Sequence, residues 1–342
     1  MDRVAAALPF FPAFFVCFLS FLSWFQSGEG TLHHRAVAPE RPVPVLPFSS
    51  VRAARRLVTT SLRGLFSGVK PVDRQAEQVS GSLPGRARGV VVVGHGTADP
   101  VGAAETRDIA GLVARMLPDV AVELGFLEVI GPSIGDALER LATRGCTDVV
   151  AAPLLLFTAG HARRDVPEAV RDGAAKVGLT VRQSDALGCH PDILSLTRRR
   201  RLEALAMLEP VPDADTVLLV VGRGSSDPTA HRQLHDFIMA TGPTQSRVAF
   251  GFVAAARPTL AEAIADAAGG TGVGGDRPVC RVVVQPHLLF RGHVEEQVTA
   301  AVDRGRREYP GIEWVQVQRL GADPLVAQAV VDRAAAIFSQ PA

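Results

Sequence analysis

Two histidines and one glutamate follow hydrophobic runs in the first part of this chain. His95 follows Val-Val-Val-Val-Gly, Glu128 ends Leu-Gly-Phe-Leu-Glu, and His161 ends Pro-Leu-Leu-Leu-Phe-Thr-Ala-Gly-His. Imidazole nitrogen and carboxylate oxygen are ligands for divalent cobalt, iron, nickel or zinc. The same groups transfer protons near neutral pH. The pattern therefore predicts metal handling or proton transfer, with purely structural roles as the alternative.

Arginines lie near the same positions in the sequence. Arg163 and Arg164 follow His161, and further along the chain come Arg223, Arg257 and Arg291. Arginine at the start of a helix opposes the helix dipole, so this placement predicts an anionic ligand, with solvated surface residues as the alternative. The run Arg198–Arg201 is predicted to be an exposed helix face without a role.

An internal repeat relates the two parts of the chain. Gly-His95-Gly is matched by Gly-Arg223-Gly, Gly-Phe-Leu-Glu128 by Gly-Phe-Val-Ala254, and His161 by His293. A period of roughly 130 residues indicates duplicated domains. The shared glycines, phenylalanines and prolines report the fold. The residues that differ predict that the chemistry lies in the first copy.

Apolar strand-like runs alternate with helical segments within each copy. Runs that are apolar on both faces indicate a parallel sheet covered by helices on each side. The sequence therefore predicts two Rossmann-like, doubly wound α/β domains, a first half at 86–209 and a second half at 210–342, each closed by its own last helix. Ligands of such sheets bind beyond the carboxyl ends of the strands. His95, Glu128 and His161 are thus expected on one rim.

Several other site classes are excluded by the sequence. Asp99 stands where a dinucleotide fingerprint needs glycine, and no G-x-S-x-G motif occurs. Four cysteines without C-x-x-C spacing argue against an iron–sulfur cluster, structural zinc or a disulfide framework. A net charge of +1 gives no support to nucleic-acid binding or a membrane-surface role.

The N-terminal segment, residues 1–85, differs from the rest. Residues 4–25 are almost wholly apolar, and residues 31–71 are basic and rich in proline. This composition predicts a segment without a fold of its own, and leaves open a membrane anchor, a targeting segment or a mis-assigned start. The protein is expected to be cytoplasmic, with membrane contact only if the apolar stretch is an anchor.

Together the motifs resemble the class II chelatases of tetrapyrrole synthesis, specifically the sirohydrochlorin cobaltochelatases and ferrochelatases of the CbiX/SirB type in their duplicated long form. The resemblance covers residues 89–342. It rests on the Gly-His-Gly-Thr opening, the Gly-Phe-Leu-Glu block, the block ending at His161, and Leu-Gly-Cys-His-Pro. It implies two Rossmann-like halves that face each other across a cleft.

The resemblance also implies roles for individual residues. Metal binding and catalysis fall on His95, Glu128 and His161, and the resemblance and the basic rim together assign substrate binding to Gly96, Thr97, Arg163, Arg164, Arg223, Arg257, Arg291 and His293. A divalent metal, Co²⁺ or Fe²⁺, enters as a substrate together with sirohydrochlorin; no organic cofactor is expected, and the protein is expected to be a monomer. The sequence does not select the metal, and leaves open whether His287 or His293 takes part. A non-catalytic carrier, or a chelatase for nickel or another porphyrin, is the alternative.

Overall fold

The computed structural model of this protein describes residues 87–157, 163–242, 247–270 and 277–341. The N-terminal segment and His161 lie outside these ranges. Within them, no helix combines the length and the hydropathy needed to cross a bilayer.

The first half contains a four-stranded parallel sheet in the order β2-β1-β3-β4. Its strands are β1 (Ala87–Gly94), β2 (Ala121–Phe126), β3 (Cys146–Pro153) and β4 (Val181–Gln183), and its helices are α1 (Pro100–Met116), α2 (Ile134–Thr143), α3 (Asp165–Val177) and α4 (Pro191–Leu205).

The second half repeats this topology in the order β6-β5-β7-β8, again all parallel. Its strands are β5 (Thr216–Gly222), β6 (Arg247–Phe252), β7 (Arg281–Pro286) and β8 (Glu313–Gln316), and its helices are α5 (Pro228–Thr241), α6 (Leu260–Gly269), α7 (His293–Glu308) and α8 (Pro324–Phe338). The predicted α/β class, with two parallel sheets related by duplication, is confirmed.

The central strand β1 shows why each sheet is covered on both faces. Its four consecutive valines are fully or almost fully buried. Val90 and Val92 belong to one hydrophobic core, and Val91 and Val93 to another on the opposite face. Because side chains alternate along a strand, an unbroken run of valine requires helices on both sides.

Polar side chains fix where the first helix of each half begins. Asp99 accepts hydrogen bonds from two backbone N–H groups of α1, and proline at the next position needs no partner for its nitrogen. At the start of α5, Asp227 accepts a hydrogen bond from the Thr229 N–H, and Pro228 follows it. These caps set the length of the loops that follow β1 and β5.

The last helix of the second half, α8, packs on the sheet of the first half, whereas Ile193 and Leu196 of α4 lie in the core of their own sheet. Helix α8 packs on α1, β3 and α4, and its Val326 and Val330 lie in the same core as Val90 and Val92. Helix α4 in turn contacts α5 and β8 of the second half. The prediction that each half is closed by its own last helix is therefore wrong for α8, because its apolar face fills the space beside α1 on the first sheet.

Candidate active site

The loops after β1 and β2 lie against each other at the carboxyl end of the first sheet. The Glu128 N–H donates to the His95 carbonyl oxygen at 3.1 Å. Gly96 has φ +100°, and a Cβ there would lie 1.9 Å from the Glu128 carbonyl oxygen. Only glycine fits such a contact in a left-handed conformation. The Gly-His-Gly turn thus allows His95 to sit beside Glu128.

The side chains of His95 and Glu128 meet at this rim. His95 Nε2 lies 3.4 Å from Glu128 Oε1, and both side chains are partly open to solvent. His95 Nδ1 lies 3.3 Å from the Gly96 carbonyl oxygen. A proton on Nδ1 would be donated to the Gly96 carbonyl oxygen and would leave the Nε2 lone pair for a metal, whereas a proton on Nε2 would be donated to the Glu128 carboxylate. This arrangement offers one nitrogen and one oxygen to a metal, or a route for a proton.

His161 lies outside the described residues, so its predicted position is not tested. The chain around it is described up to Phe157 and again from Arg163. β3, which leads toward His161, pairs directly with β1, and the Leu154 N–H donates to the Val93 carbonyl oxygen at 2.8 Å. The start of that loop therefore lies at the rim that carries His95.

The loops at the rim of the second half have the same backbone contacts as those of the first half, but different side chains. The Ala254 N–H donates to the Arg223 carbonyl oxygen at 2.9 Å. Gly224 has φ +93°, and a Cβ on it would lie 1.7 Å from the Ala254 carbonyl oxygen. The glycines are thus required in both halves. The histidine–glutamate pair is present only in the first.

Two of the predicted substrate-binding arginines are engaged by carboxylates. Arg291 Nε lies 3.3 Å from Asp99 Oδ2, and its backbone N–H donates to Glu105 Oε2 at 2.9 Å. Arg257 forms an ion pair with Glu262. Arg291 thus helps to join the two halves, whereas the charge of Arg257 is neutralised by Glu262 in the same half.

The other three predicted arginines, Arg163, Arg164 and Arg223, are exposed. Hydrogen bonds from Thr229 lower the pKa of Asp227, and the charge of Arg163 lowers it further. Arg163 therefore acts on the cap of α5, as Arg291 acts on the cap of α1. This pseudo-symmetric relation places an arginine of each half near the other half's first helix.

Thr97 and His293 have local partners. Thr97 Oγ1 accepts a hydrogen bond from the Asp99 N–H at 3.1 Å, which shapes the turn before α1. His293 is 79% exposed at the start of α7, with Nδ1 3.6 Å from Glu296 Oε2 and Nε2 2.9 Å from Gln297 Nε2. His293 is thus a surface residue, unlike His95.

The arginine run in α4 is only in part the exposed face that the sequence predicts, since Arg198 and Arg199 are exposed but Arg200 and Arg201 are partly buried. Arg199 and Arg200 bind the carboxylate of Asp323, which caps α8. Arg198 and Arg201 donate to carbonyl oxygens at the end of α5. The prediction is wrong because consecutive helical residues point in directions about 100° apart, so four in a row cannot share one solvated face. That geometry is the signal that sequence reasoning missed.

A second set of charges between the halves lies close to Arg291. Arg319 Nε lies 3.1 Å from both carboxylate oxygens of Glu105, and its Nη1 lies 3.0 Å from both oxygens of Glu295. These hydrogen bonds raise the pKa of Arg319, the bond to Glu105 contributing most. Glu105 belongs to α1, so this cluster fixes α7 and the chain after β8 against the first half.

His287, whose role the sequence leaves open, lies at the end of β7 away from solvent. Its ring centroid lies 4.0 Å from that of Phe237 and 4.6 Å from that of Phe157. Burial lowers the pKa of His287 to about 3. The ring is therefore neutral at physiological pH and serves as part of the packing between the halves.

His190, Asp192 and Asp332 offer ligand atoms within 4.8 Å of one another. The Asp192 N–H donates to His190 Nδ1 at 3.3 Å, and His190 Nε2 lies 3.5 Å from Asp332 Oδ2. His190 thus caps α4 and contacts α8 through its two nitrogens. These contacts explain its position without a ligand.

Comparison with known proteins identifies the family. The sequence model of the CbiX family matches this chain twice, at residues 89–204 and 217–337. The chain belongs to the CbiX family. A sirohydrochlorin cobaltochelatase of Priestia megaterium is 26% identical over 250 residues, 72% of this chain and 79% of that protein. A sirohydrochlorin ferrochelatase of the same organism is 27% identical over 63% of this chain and 78% of its own length.

Solved structures share the fold. SirB from Bacillus subtilis with Fe³⁺ aligns with a TM-score of 0.63 and 23% identity, covering 74% of this chain and 98% of SirB. A CbiX described as the terminal enzyme of siroheme biosynthesis in denitrifying bacteria aligns with a TM-score of 0.52 and 21% identity, covering 74% of this chain and all of that one. Both likenesses extend over the two halves of this chain.

Proposed function

We propose that this protein is a sirohydrochlorin chelatase, which inserts Co²⁺ or Fe²⁺ into sirohydrochlorin for cobalamin or sirohaem synthesis. The observation that carries the proposal is the contact between His95 and Glu128 at the carboxyl-end rim of a CbiX-family fold. Relatives named for cobalt and for iron are similarly distant. The donor set accepts both ions, so the proposal covers both.

Metal insertion removes two protons from pyrrole nitrogens while the ion exchanges its water ligands for ring nitrogens. In this proposal the His95 Nε2 lone pair and the Glu128 carboxylate bind the incoming ion, together with His161. As the ion passes to the ring nitrogens, the released Glu128 carboxylate accepts one pyrrole proton and the released His95 imidazole accepts the other. An incomplete ligand set suits an ion that must be released to the macrocycle, whereas a closed four-ligand site would retain it.

The exposed arginines supply the charge that the other substrate requires. Sirohydrochlorin carries several carboxylates around its edge, and guanidinium groups bind carboxylates with paired hydrogen bonds. Arg163, Arg164 and Arg223 are solvent-accessible and near the two rims. We assign them to the substrate carboxylates, and assign Arg257 and Arg291 a smaller part because acidic residues already contact them. As predicted from the sequence, we propose that the protein is a monomer and that it is located in the cytoplasm.

The direct test is an absorbance assay with the full chain, sirohydrochlorin, and Co²⁺, Fe²⁺ or Ni²⁺ in turn. The expected result is metal insertion faster than the uncatalysed control, with many turnovers for each protein molecule. Insertion at the uncatalysed rate with every ion would overturn the proposal. Stoichiometric binding of the metallated product without turnover would instead identify a carrier.

A further inference from the structure

The residue after Glu128 is held in a backbone conformation that is unusual for its type. Val129 has φ 70°, and the Ile130 N–H donates across it to the Glu128 carbonyl oxygen at 2.8 Å. A three-residue turn closed by this bond with positive φ is the rare, strained form of the γ-turn. A β-branched side chain makes such a φ still less favourable.

The side chain of Val129 makes little buried contact that could offset the free energy of this strained turn. It is 64% exposed, one of the more exposed large apolar residues in the described part of the chain. Glycine adopts positive φ without strain, and asparagine does so more readily than most residues. Stability alone would therefore favour either of these at position 129.

The surroundings dictate the turn. The Glu128 carbonyl oxygen accepts the Ile130 N–H, and the same oxygen blocks any side chain at Gly96. The backbone of Glu128 is thus fixed from two sides while its carboxylate reaches His95. Val129 follows immediately, so its side chain is exposed in the same loop as the reacting carboxylate.

The second half provides an internal comparison. Its equivalent residue, Ala255, also has a positive φ, 54°. Among the described residues, however, no bond from Ala256 to Ala254 closes the turn, and the side chain is a single methyl group. The half without the acidic residue thus also lacks the exposed branched side chain.

We propose that Val129 is a substrate-contacting residue: its isopropyl group packs on the apolar face of the tetrapyrrole beside Glu128. This inference rests on the proposed chelatase function. The ring of a tetrapyrrole is flat and apolar, whereas its edge is charged. A rigid branched side chain next to the base gives that face a fixed contact and holds the pyrrole nitrogens near the carboxylate.

The test compares Val129→Asn and Val129→Gly with the parent and with Ala255→Gly as the matched control. Thermal unfolding and steady-state metal insertion are measured on the full chain. Both Val129 variants are expected to unfold at the parent's temperature or above it, because they relieve the turn. Their KM for sirohydrochlorin is expected to rise about tenfold, with a smaller change in kcat, as for a lost apolar contact. Ala255→Gly is expected to leave KM unchanged.

Each arm of the test can contradict a different part of the inference. Val129→Asn and Val129→Gly both unfolding below the parent's temperature would show that the turn is not strained. An unchanged KM in both, or an equal rise in Ala255→Gly, would show that Val129 makes no substrate contact. A parent protein without chelatase activity would overturn the proposed function itself, whatever the unfolding temperatures.

Discussion

His95 Nε2 and Glu128 Oε1 lie 3.4 Å apart because the backbones that carry them are hydrogen-bonded and in contact. Gly96 is the residue that permits this approach. The second half keeps the approach at Gly224 but carries Arg223 and Ala254 there. The loop geometry is thus the same in both copies, and the first copy combines it with a histidine and a carboxylate.

Removing the carboxylate tests the proposed base. Glu128→Ala is expected to lower kcat for metal insertion at least about 100-fold, the usual size of a general acid–base contribution. The side chain is 51% exposed, so the temperature of unfolding should hardly change. The control is His293→Ala, which removes an exposed histidine at the position of the second half that corresponds to His161. Equal losses in the two variants would contradict a one-sided site.

A methyl group at Gly96 tests the loop contact. Gly96→Ala is expected to lower the free energy of unfolding by at least about 2 kcal/mol, because the methyl group would overlap the Glu128 carbonyl oxygen in a left-handed conformation. Urea denaturation measures the change. Gly111→Ala, at a helical position where the nearest neighbour is Arg115 Nη1 at 3.6 Å, should be neutral or stabilising. The same loss at both positions would mean that the contact has no special importance.

The charge cluster between the halves should matter for stability. Arg319→Met leaves Glu105 and Glu295 without their shared partner, and the side chains of both are only 15% exposed. The expected loss is about 2 kcal/mol in the free energy of unfolding, measured in urea. Arg257→Ala breaks an exposed pair and should leave stability close to the parent's. A negligible effect of Arg319→Met would show that solvent already screens the cluster.

His287 should make stability depend on pH. Its pKa is about 3 in the folded protein and near 6.5 when exposed. Between these two values, His287 is protonated in the unfolded chain and neutral in the folded protein. The free energy of unfolding therefore falls as the pH drops from about 6.5 toward about 3. The slope from this residue is at most about 1.4 kcal/mol per pH unit.

His287→Leu introduces the residue type found at Leu154, the repeat position of the first half. This variant should lose less stability than the parent on acidification, as followed by urea denaturation at pH 7 and pH 5. Identical pH dependence in the two proteins would show that His287 does not contribute.

The two sheets could be predicted because their information is local. Unbroken valine runs specify buried parallel strands, and Gly-His-Gly specifies a loop that another backbone approaches closely. The packing of α8 on the sheet of the first half could not be predicted in this way. Its apolar face suits either sheet of a duplicated fold, and the choice depends on contacts such as Asp323 with Arg199, between residues far apart in sequence.

His287 was equally hidden from sequence reasoning. A histidine after a strand has the same sequence context whether it faces a ligand or two phenylalanine rings. Only the packing of Phe157 and Phe237 around it decides the matter.

The position of α8 has a consequence for the order in which the protein matures. The half that carries His95 and Glu128 is synthesised before the second half, yet part of one face of its sheet is covered by Pro324–Phe338. During translation α1 and α4 can cover their share of that face, but the part beneath Pro324–Phe338 stays open until this helix has been made. The folding of the first half is therefore completed by a segment that is synthesised after the whole of the second sheet.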